Sequence, residues 1–343
     1  MIDESLQCST IERLAAANND AAQDLVLEVE GLTVSFPGLF KTVKAVRGID
    51  LQVRRGEILG LVGESGSGKS LTAMSCLGLI HEAARLEGSV RVAGQQVNGA
   101  SASQLAVLRG GGAAMIFQNP MKALNPFFTV GRQMFDVIGC HRQLSKAQIR
   151  AEALSSLEAV SMPDPPLALA KYPHQMSGGQ LQRVVIAMAL ACRPKLLIAD
   201  EPTTALDVTV QAQIIALLRK LAREQDLAIL FITHNLGVVA SLCDRVAVMY
   251  AGEVVESGPV GQVFKRPAHP YTLKLMGTVP KLGQGPQPLG FIPGQVPNMA
   301  APPAGCAFNP RCERATGRCH QAAPRVVIGK GHWAACHNMI VKV

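Results

Sequence analysis

The chain has 343 residues, a formal net charge of +8 and a hydrophobic fraction of 48%. This length exceeds one typical domain and is ample for a large core. The longest apolar stretches are of strand length, short of the ~18 to 20 residues that a membrane helix requires. Lysine and arginine are scattered and aromatic residues make up only 4% of the chain, so the positive charge does not indicate nucleic-acid binding.

The chain begins with an acidic, alanine-rich segment, residues 1–24, that lacks the basic and apolar layout of a signal peptide. It predicts an N-terminal extension on a protein that is kept in the cytosol. Residues 25–36 and 43–53 follow, rich in β-branched residues, and they predict two paired strands.

A glycine-rich segment fits the phosphate-binding pattern G-x-x-x-x-G-K-S/T at every fixed position. An apolar run over 58–62 precedes it and a helical run over 71–80 follows it. Lys69 is expected to reach the β- and γ-phosphates and Ser70 to ligate Mg²⁺, while the glycines free the backbone to turn its N–H groups toward phosphate oxygens. The residues expected at the nucleotide are Gly63, Glu64, Ser65, Gly66, Ser67, Gly68, Lys69, Ser70 and Leu71.

Two further segments lie downstream. One is the signature segment, Ser177, Gly178, Gly179 and Gln180, which Met176 precedes and a helical run over 181–191 follows. The other is a continuous apolar run over 196–199 that predicts a buried parallel strand and delivers Asp200 and Glu201 to its carboxyl end, where ligands bind in such sheets.

These motifs, in this order, resemble the ATP-binding-cassette family. The resemblance implies an α/β fold of the P-loop NTPase class, with a nucleotide core, a helical subdomain and ATP and Mg²⁺ as cofactors. It implies that Asp200 holds Mg²⁺ and that Glu201 polarises the attacking water. Gln118 is expected to sense Mg²⁺ and the γ-phosphate, and His234 to bind the γ-phosphate and hold the water.

The resemblance also implies how two cassettes work together. They would pack head to tail, with each nucleotide between the phosphate loop of one chain and the signature segment of the other. Asp207 resembles the dimer-contact loop of the family, and it is equally well placed to cap the helix that follows. An aromatic ring usually stacks on adenine, and here Phe36 and Phe40 are equal candidates.

The predicted cassette spans 25–258, with its helical subdomain at about 121–191. Residues 208–225 predict an amphipathic helix whose buried face holds Ile214, Leu217, Leu218 and Leu221, and residues 245–256 predict a hairpin. A C-terminal extension over 259–343 completes the chain. Its segment His269-Pro270-Tyr271-Thr272 resembles the start of the extension on oligopeptide and dipeptide importer ATPases, and we interpret His269 as a structural hydrogen-bonding residue.

Four of the nine cysteines lie within the extension: Cys306, Cys312, Cys319 and Cys336. In a cytosolic chain such clustering favours a metal over disulfides. The spacing resembles the iron–sulfur motif of the peptide-importer extensions, which implies a structural 4Fe-4S cluster. Zinc, with His320, His332 or His337 among its ligands, and free thiols are the alternatives. Nearby cations would offset the charge of the cluster: Arg311, Arg314, Arg318, Arg325 and Lys330. The other five cysteines are interpreted as buried small hydrophobes: Cys8, Cys76, Cys140, Cys192 and Cys243.

The resemblance implies the ATPase of a binding-protein-dependent importer, with di- or oligopeptides as cargo and nickel or another solute as the alternative. The expected partners are a second homologous ATPase, two membrane-spanning permeases and an extracytoplasmic solute-binding protein. The chain would lie peripherally on the cytoplasmic face of the inner membrane. A soluble cassette ATPase acting on DNA or ribosomes, and an exporter ATPase, are the rival classes. The sequence shows neither the coiled-coil insertions nor the second fused cassette of the first rival.

Overall fold

The computed structural model describes residues 24–38, 41–203, 206–278 and 290–341. These residues form twelve strands: β1 (Leu25–Phe36), β2 (Val43–Arg54), β3 (Ile58–Val62), β4 (Arg85–Val92), β5 (Gln95–Gln96), β6 (Ala113–Ile116), β7 (Leu196–Asp200), β8 (Ala228–Thr233), β9 (Arg245–Tyr250), β10 (Glu253–Pro259), β11 (Arg325–Gly329) and β12 (His332–Ala335). The smaller sheet is antiparallel in the order β2-β1-β4-β5, and the larger has the order β11-β12-β10-β9-β3-β8-β7-β6. The predicted pairing of β1 with β2 and the predicted hairpin of β9 and β10 are both confirmed.

Eleven α-helices accompany the strands within the described residues: α1 (Lys69–Ser75), α2 (Ala102–Val107), α3 (Pro120–Ala123), α4 (Val130–His141), α5 (Lys146–Ala159), α6 (Pro165–Ala170), α7 (Gly178–Ala191), α8 (Val208–Glu224), α9 (Leu236–Leu242), α10 (Val260–Lys265) and α11 (Pro270–Gly277). Between β6 and β7 the regular structure is helical, from α3 to α7. The face predicted to be buried in α8 is buried. None of the helices in the described ranges is long and apolar enough to cross a membrane.

The centre of the large sheet is parallel and covered on both sides. Every residue of β3, β7 and β8 is buried, which explains why each reads as an unbroken apolar run. The side chains of β3 alternate between two hydrophobic cores. Ile58 and Val62 pack into the core that contains residues of α4 to α9, while Leu59 and Leu61 pack into the core that contains residues of the antiparallel sheet. The carboxyl ends of β3, β7 and β8 therefore meet at one edge of the sheet.

Helix α1 is shorter than the sequence predicts. The apolar pattern continues to Ile80, but the helix ends at Ser75. Gly78 follows with a φ of +62°. This left-handed conformation ends the helical path, and it explains why the prediction was too long.

The C-terminal extension continues the large sheet. Strand β12 pairs with β10, aligning Glu256 with Ala334 and Ser257 with Trp333, and β11 pairs with β12. Glu256 is fully buried; its carboxylate accepts hydrogen bonds from the backbone N–H groups of Ala268 and His269 and lies 2.9 Å from His332 Nε2. The extension is thus tied to the cassette through a buried polar centre.

Candidate nucleotide-binding site

The phosphate-binding loop connects β3 to α1 and lies tightly against neighbouring backbone. A Cβ atom on Gly63 would come within 2.1 Å of the Met249 carbonyl oxygen, and one on Gly68 within 2.9 Å of the Ala45 carbonyl oxygen. Gly68 has a φ of +102°. Both positions therefore require glycine, and the loop is fixed by its packing as well as by its own turns.

Lys69 is buried at the base of this loop. Its ammonium group donates to the carbonyl oxygens of Gly63 and Glu64 at 2.8 and 2.9 Å. Burial lowers the pKa of Lys69, and the nearby carboxylates of Glu201, Asp200 and Glu64 oppose that shift. The lysine thus lies beside the two acids that the sequence placed at the carboxyl end of β7.

Asp200 is buried and has an oxygen available for a cation. Burial raises its pKa, while a hydrogen bond with the side chain of Ser70 opposes the shift. Its Oδ1 atom has no hydrogen-bond partner among the described residues. A buried carboxylate oxygen without a partner, beside a serine hydroxyl, fits the oxygen ligands that Mg²⁺ prefers, so the two residues could hold the ion.

Glu201 has a strained backbone, with a φ of +48° that non-glycine residues seldom adopt. Its backbone N–H is held by the carbonyl oxygen of Ile232 at 2.9 Å. Gln118 Nε2 donates to its Oε2 at 2.9 Å, and His234 Nδ1 lies 3.1 Å from its Oε1. Two side chains from distant parts of the sequence therefore meet on the Glu201 carboxylate, next to Lys69.

The signature segment begins α7. The Ser177 side chain accepts from the backbone N–H of Gln180, whose side chain accepts in return from the backbone N–H of Ser177. This capping box holds the helix end in place while Gly178 and Gly179 leave it free of large side chains. Ser177 and Gly178 are exposed, so this end of α7, where the sequence predicts an anion-binding site, is open to solvent.

The remaining predicted residues lie in different environments. Phe36 is half-buried against the core beneath the small sheet, whereas Phe40 lies outside the described residues. Leu71 is also half-buried and packs against that core. Asp207 caps α8 by accepting from the backbone N–H of Val210 at 2.9 Å, so the capping role is confirmed. His269 caps α11 by accepting from the backbone N–H of Tyr271 at 3.0 Å, which confirms its structural role.

The four cysteines of the extension lie near one another. The pKa of Cys336 is raised to about 11, first by burial and then by charge interactions with the other three thiols. Cys306, Cys312 and Cys336 each accept from the backbone N–H two residues further along. N–H donors aimed at sulfur suit bound thiolates, and thiolates are the ligand type of an iron–sulfur cluster.

Ligand geometry does not support that prediction. Over the residues described, no three His, Cys, Asp or Glu side chains form a group that could hold a metal ion. His332, one candidate zinc ligand, is bound to Glu256. Two predicted counter-charges are also engaged elsewhere, because Arg311 pairs with Glu64 and Arg325 with Asp50.

The isolated cysteines differ from one another. Cys76, Cys192 and Cys243 are buried, as predicted. Cys140 is exposed, so its assignment to the core was wrong, because the end of α4 turns it outward. Cys8 lies outside the described residues.

The sequence interpretation missed one contact at the phosphate-binding loop. Arg311, from the cysteine-rich part of the extension, forms a paired salt bridge with Glu64, with Nη1–Oε2 and Nη2–Oε1 distances of 2.7 and 3.0 Å. The two residues are 247 positions apart. No short-range pattern could have paired them.

Comparisons with known proteins agree with this architecture. The sequence profile of the ABC transporter family matches residues 46–204, and that of the oligopeptide/dipeptide transporter C-terminal region matches residues 255–319. The chain is 47% identical over 317 residues to the oligopeptide transport ATP-binding protein OppD of Salmonella typhimurium, covering 92% of this chain and 95% of the relative. It is 47% identical over 306 residues to the probable D,D-dipeptide transport ATP-binding protein DdpD of Escherichia coli, covering 89% and 93%.

A solved structure is similar as well. It is a dimeric ATP-binding cassette in a post-hydrolysis state bound to ADP and Pi, with a TM-score of 0.61 and 28% identity, covering 68% of this chain and 98% of that one. The chain therefore belongs to the ATPases of the ABC transporter family, in the group that carries the oligopeptide/dipeptide transporter C-terminal region.

Proposed function

We propose that this chain hydrolyses ATP to power the uptake of di- or oligopeptides through a membrane importer. The observation that carries the hydrolytic part is the meeting of Gln118 and His234 on the carboxylate of Glu201, beside Lys69 and Asp200. The match to the C-terminal region and the names of the relatives support peptide as the cargo. Nickel or another solute is the second candidate.

In this proposal each residue has one task. The backbone of the phosphate-binding loop and Lys69 bind the phosphates, and Ser70, Asp200 and Gln118 hold Mg²⁺. When bound, Mg²⁺ would neutralise charge on the β- and γ-phosphate oxygens. Glu201 accepts the proton of the water that attacks the γ-phosphorus as the bond to the β-phosphate oxygen breaks, and His234 orients that water.

The signature segment would complete the site of a partner cassette. We propose a heterodimer with a second homologous ATPase, because the exposed end of α7 presents an anion-binding site without a lysine of its own. Phe36 or Phe40 would stack on adenine, and the loop of Asp207 would contact the partner.

Two permeases and an extracytoplasmic solute-binding protein would complete the importer, with this chain on the cytoplasmic face of the inner membrane. The helical segment over 121–191 and the connection leading into it would contact the permeases. Six large apolar side chains are exposed there, and such groups mark docking surfaces: Phe117, Met121, Phe127, Phe128, Leu167 and Tyr172.

A 4Fe-4S cluster on Cys306, Cys312, Cys319 and Cys336 is also part of the proposal, as a structural staple of the extension over 259–343. Four clustered cysteines with N–H donors at their sulfurs support it. Anaerobic purification should give a chain with a broad visible absorption band and with iron and acid-labile sulfide in equal amounts. Replacement of Cys319 by serine should abolish both, and zinc in place of iron would refute the cluster.

Purification of the tagged chain from gently solubilised membranes tests the transport function. We expect a second cassette ATPase and two permeases, identified by mass spectrometry. ATPase activity of the reconstituted complex should rise with a peptide-loaded binding protein and stay unchanged with the empty binding protein plus nickel. Recovery of ribosomes or DNA-repair proteins instead would overturn the importer.

A further inference from the structure

The salt bridge between Arg311 and Glu64 joins the cysteine-rich extension to the phosphate-binding loop. It is bidentate, and the Arg311 side chain is only 5% exposed, against 24% for Glu64. Paired hydrogen bonds of this kind fix orientation as well as charge. Little water reaches the guanidinium, so this contact is screened less than an exposed ion pair.

The extension and strand β9 of the cassette together hold Arg311 from several sides. Its Nε donates to the carbonyl oxygen of Pro293 at 2.8 Å and its Nη2 to that of Ile292 at 3.0 Å. Its Nη1 also donates to the Tyr250 hydroxyl at 3.2 Å. The guanidinium carbon lies 5.8 Å from the ring centre of Tyr250 and 6.0 Å from that of Phe308. The guanidinium is therefore preorganised to receive Glu64.

Glu64 is linked to Lys69 through its own backbone. Its backbone N–H donates to the Tyr271 hydroxyl at 2.9 Å, and its carbonyl oxygen accepts from the Lys69 ammonium group at 2.9 Å. The Glu64 carboxylate is also one of the charges that Lys69 senses. The extension thus contacts the same loop residue through a side chain, Arg311, and through a second anchor, Tyr271.

We infer that Arg311 is a positioning residue for ATP binding, which holds and neutralises Glu64 so that the phosphate-binding loop accepts a triphosphate. The inference rests on the proposed binding of ATP at this loop. Without Arg311, the Glu64 carboxylate would face the phosphates with its charge uncompensated, and the loop would lose one anchor. Arg311 immediately precedes Cys312 in the chain. The ordering of the cysteine-rich segment therefore affects the position of Lys69 through Arg311 and Glu64.

Binding of a fluorescent ATP analogue with Mg²⁺ to the purified full-length chain tests this inference. We expect Arg311→Ala to raise the Kd roughly tenfold, since it removes a charged, paired contact. The loss should be larger for the triphosphate than for the diphosphate, because repulsion from Glu64 grows with phosphate charge. General loosening of the extension would not produce that difference.

Matched variants complete the test. Glu313→Gln breaks the Lys274–Glu313 ion pair, which joins α11 to the cysteine-rich segment within the extension but does not contact the phosphate-binding loop, and it should leave the Kd unchanged. Arg311→Lys, which keeps the charge, should lose less affinity than Arg311→Ala. Glu64→Gln introduced into Arg311→Ala should recover part of the lost affinity.

Each outcome bears on one claim. Lys69→Ala should abolish binding, and if it does not, the loop is not the ATP site and the proposed function and the inference both fail. If Lys69→Ala abolishes binding while a folded Arg311→Ala matches Glu313→Gln, the inference alone is overturned. If Arg311→Ala does not fold, Arg311→Gln, which also removes the charge, takes its place in the comparison with Glu313→Gln.

Discussion

Glu201, the proposed general base, has a strained backbone. Its φ of +48° is held by the backbone contact with Ile232, and its two carboxylate oxygens are oriented by Gln118 and His234. We expect Glu201→Gln to lower ATPase activity by at least about a hundredfold with little change in ATP affinity, because the amide cannot accept the proton. Phosphate release by the assembled transporter measures the first effect and analogue binding the second.

The control for this prediction is Glu224→Gln, which removes a carboxylate from an exposed pair with Lys220. It should retain the activity of the original chain. Normal hydrolysis by Glu201→Gln would show that another group activates the water.

The buried side chain of His269 should make the free energy of unfolding depend on pH. Burial lowers its pKa to about 3 from an ordinary value of 6.5, so between these values the unfolded chain binds a proton that the folded chain does not. The contribution of neutral, buried His269 to the free energy of unfolding is therefore intact above pH 6.5. It is lost as the pH falls toward 3, at roughly 1 kcal/mol per pH unit.

Urea unfolding at several pH values measures this effect. The variant His269→Asn, whose side chain can also cap α11, should show a shallower loss of stability below pH 6.5 than the original chain. Equal slopes in the two proteins would mean that His269 is protonated in the folded state.

The sequence indicates the candidate site residues, but it does not predict how they meet. Gln118 and Glu201 are 83 residues apart, and only the neighbouring positions of β6 and β7 in the sheet bring them together. Sequence order gave both residues but not their hydrogen bond. The exposure of Cys140 could not be predicted from the sequence, because its position at the end of α4 depends on packing.

At the scale of elements, two helices have the same cap and different expected roles. Ser177 caps α7 and Ser145 caps α5, each in a capping box with a glutamine three residues on. We expect Ser177→Ala and Ser145→Ala each to lower the free energy of unfolding by about 1 kcal/mol. Only Ser177→Ala should also lower ATPase activity of the assembled complex, since only that cap faces a nucleotide in the proposed dimer.

Unfolding curves and phosphate release on the same two proteins check the prediction. Equal activity in both would mean that the Ser177 hydroxyl acts only on the helix. A loss of activity in Ser145→Ala would instead indicate that stability limits the assay.

The sequence predicts some elements more accurately than others, and the differences have physical causes. Strands β3 and β7 are buried on both faces, so their apolar runs mark their limits to within a residue. Helix α1 was predicted too long because hydrophobicity continues past the point where Gly78 turns left-handed.

At the scale of the whole molecule, the extension is built onto the sheet of the cassette. Strand β12 adds to β10, and His332 lies 2.9 Å from the buried carboxylate of Glu256. We expect His332→Ala to lower the free energy of unfolding by about 3 kcal/mol or more, because it leaves Glu256 buried with fewer partners. Val327→Thr, a change at an exposed position on β11, should cost less than about 0.5 kcal/mol.

Calorimetry of the two variants tests this connection. A small loss in His332→Ala would show that water replaces the imidazole and that the extension contributes little to the cassette. The sequence indicated the composition of the extension, but not this attachment, because short strands such as β11 and β12 acquire their positions only by pairing with β10.

The link between Glu256 and His332 has a consequence for synthesis on the ribosome. His332 follows Glu256 by 76 residues, so at 5 to 20 residues per second it is made roughly 4 to 15 s later. During that interval one edge of β10 is not yet paired with β12, and the carboxylate of Glu256 lacks the imidazole of His332. We therefore expect the nascent cassette to complete its fold only after the last strand leaves the ribosome, and to depend on chaperones until then.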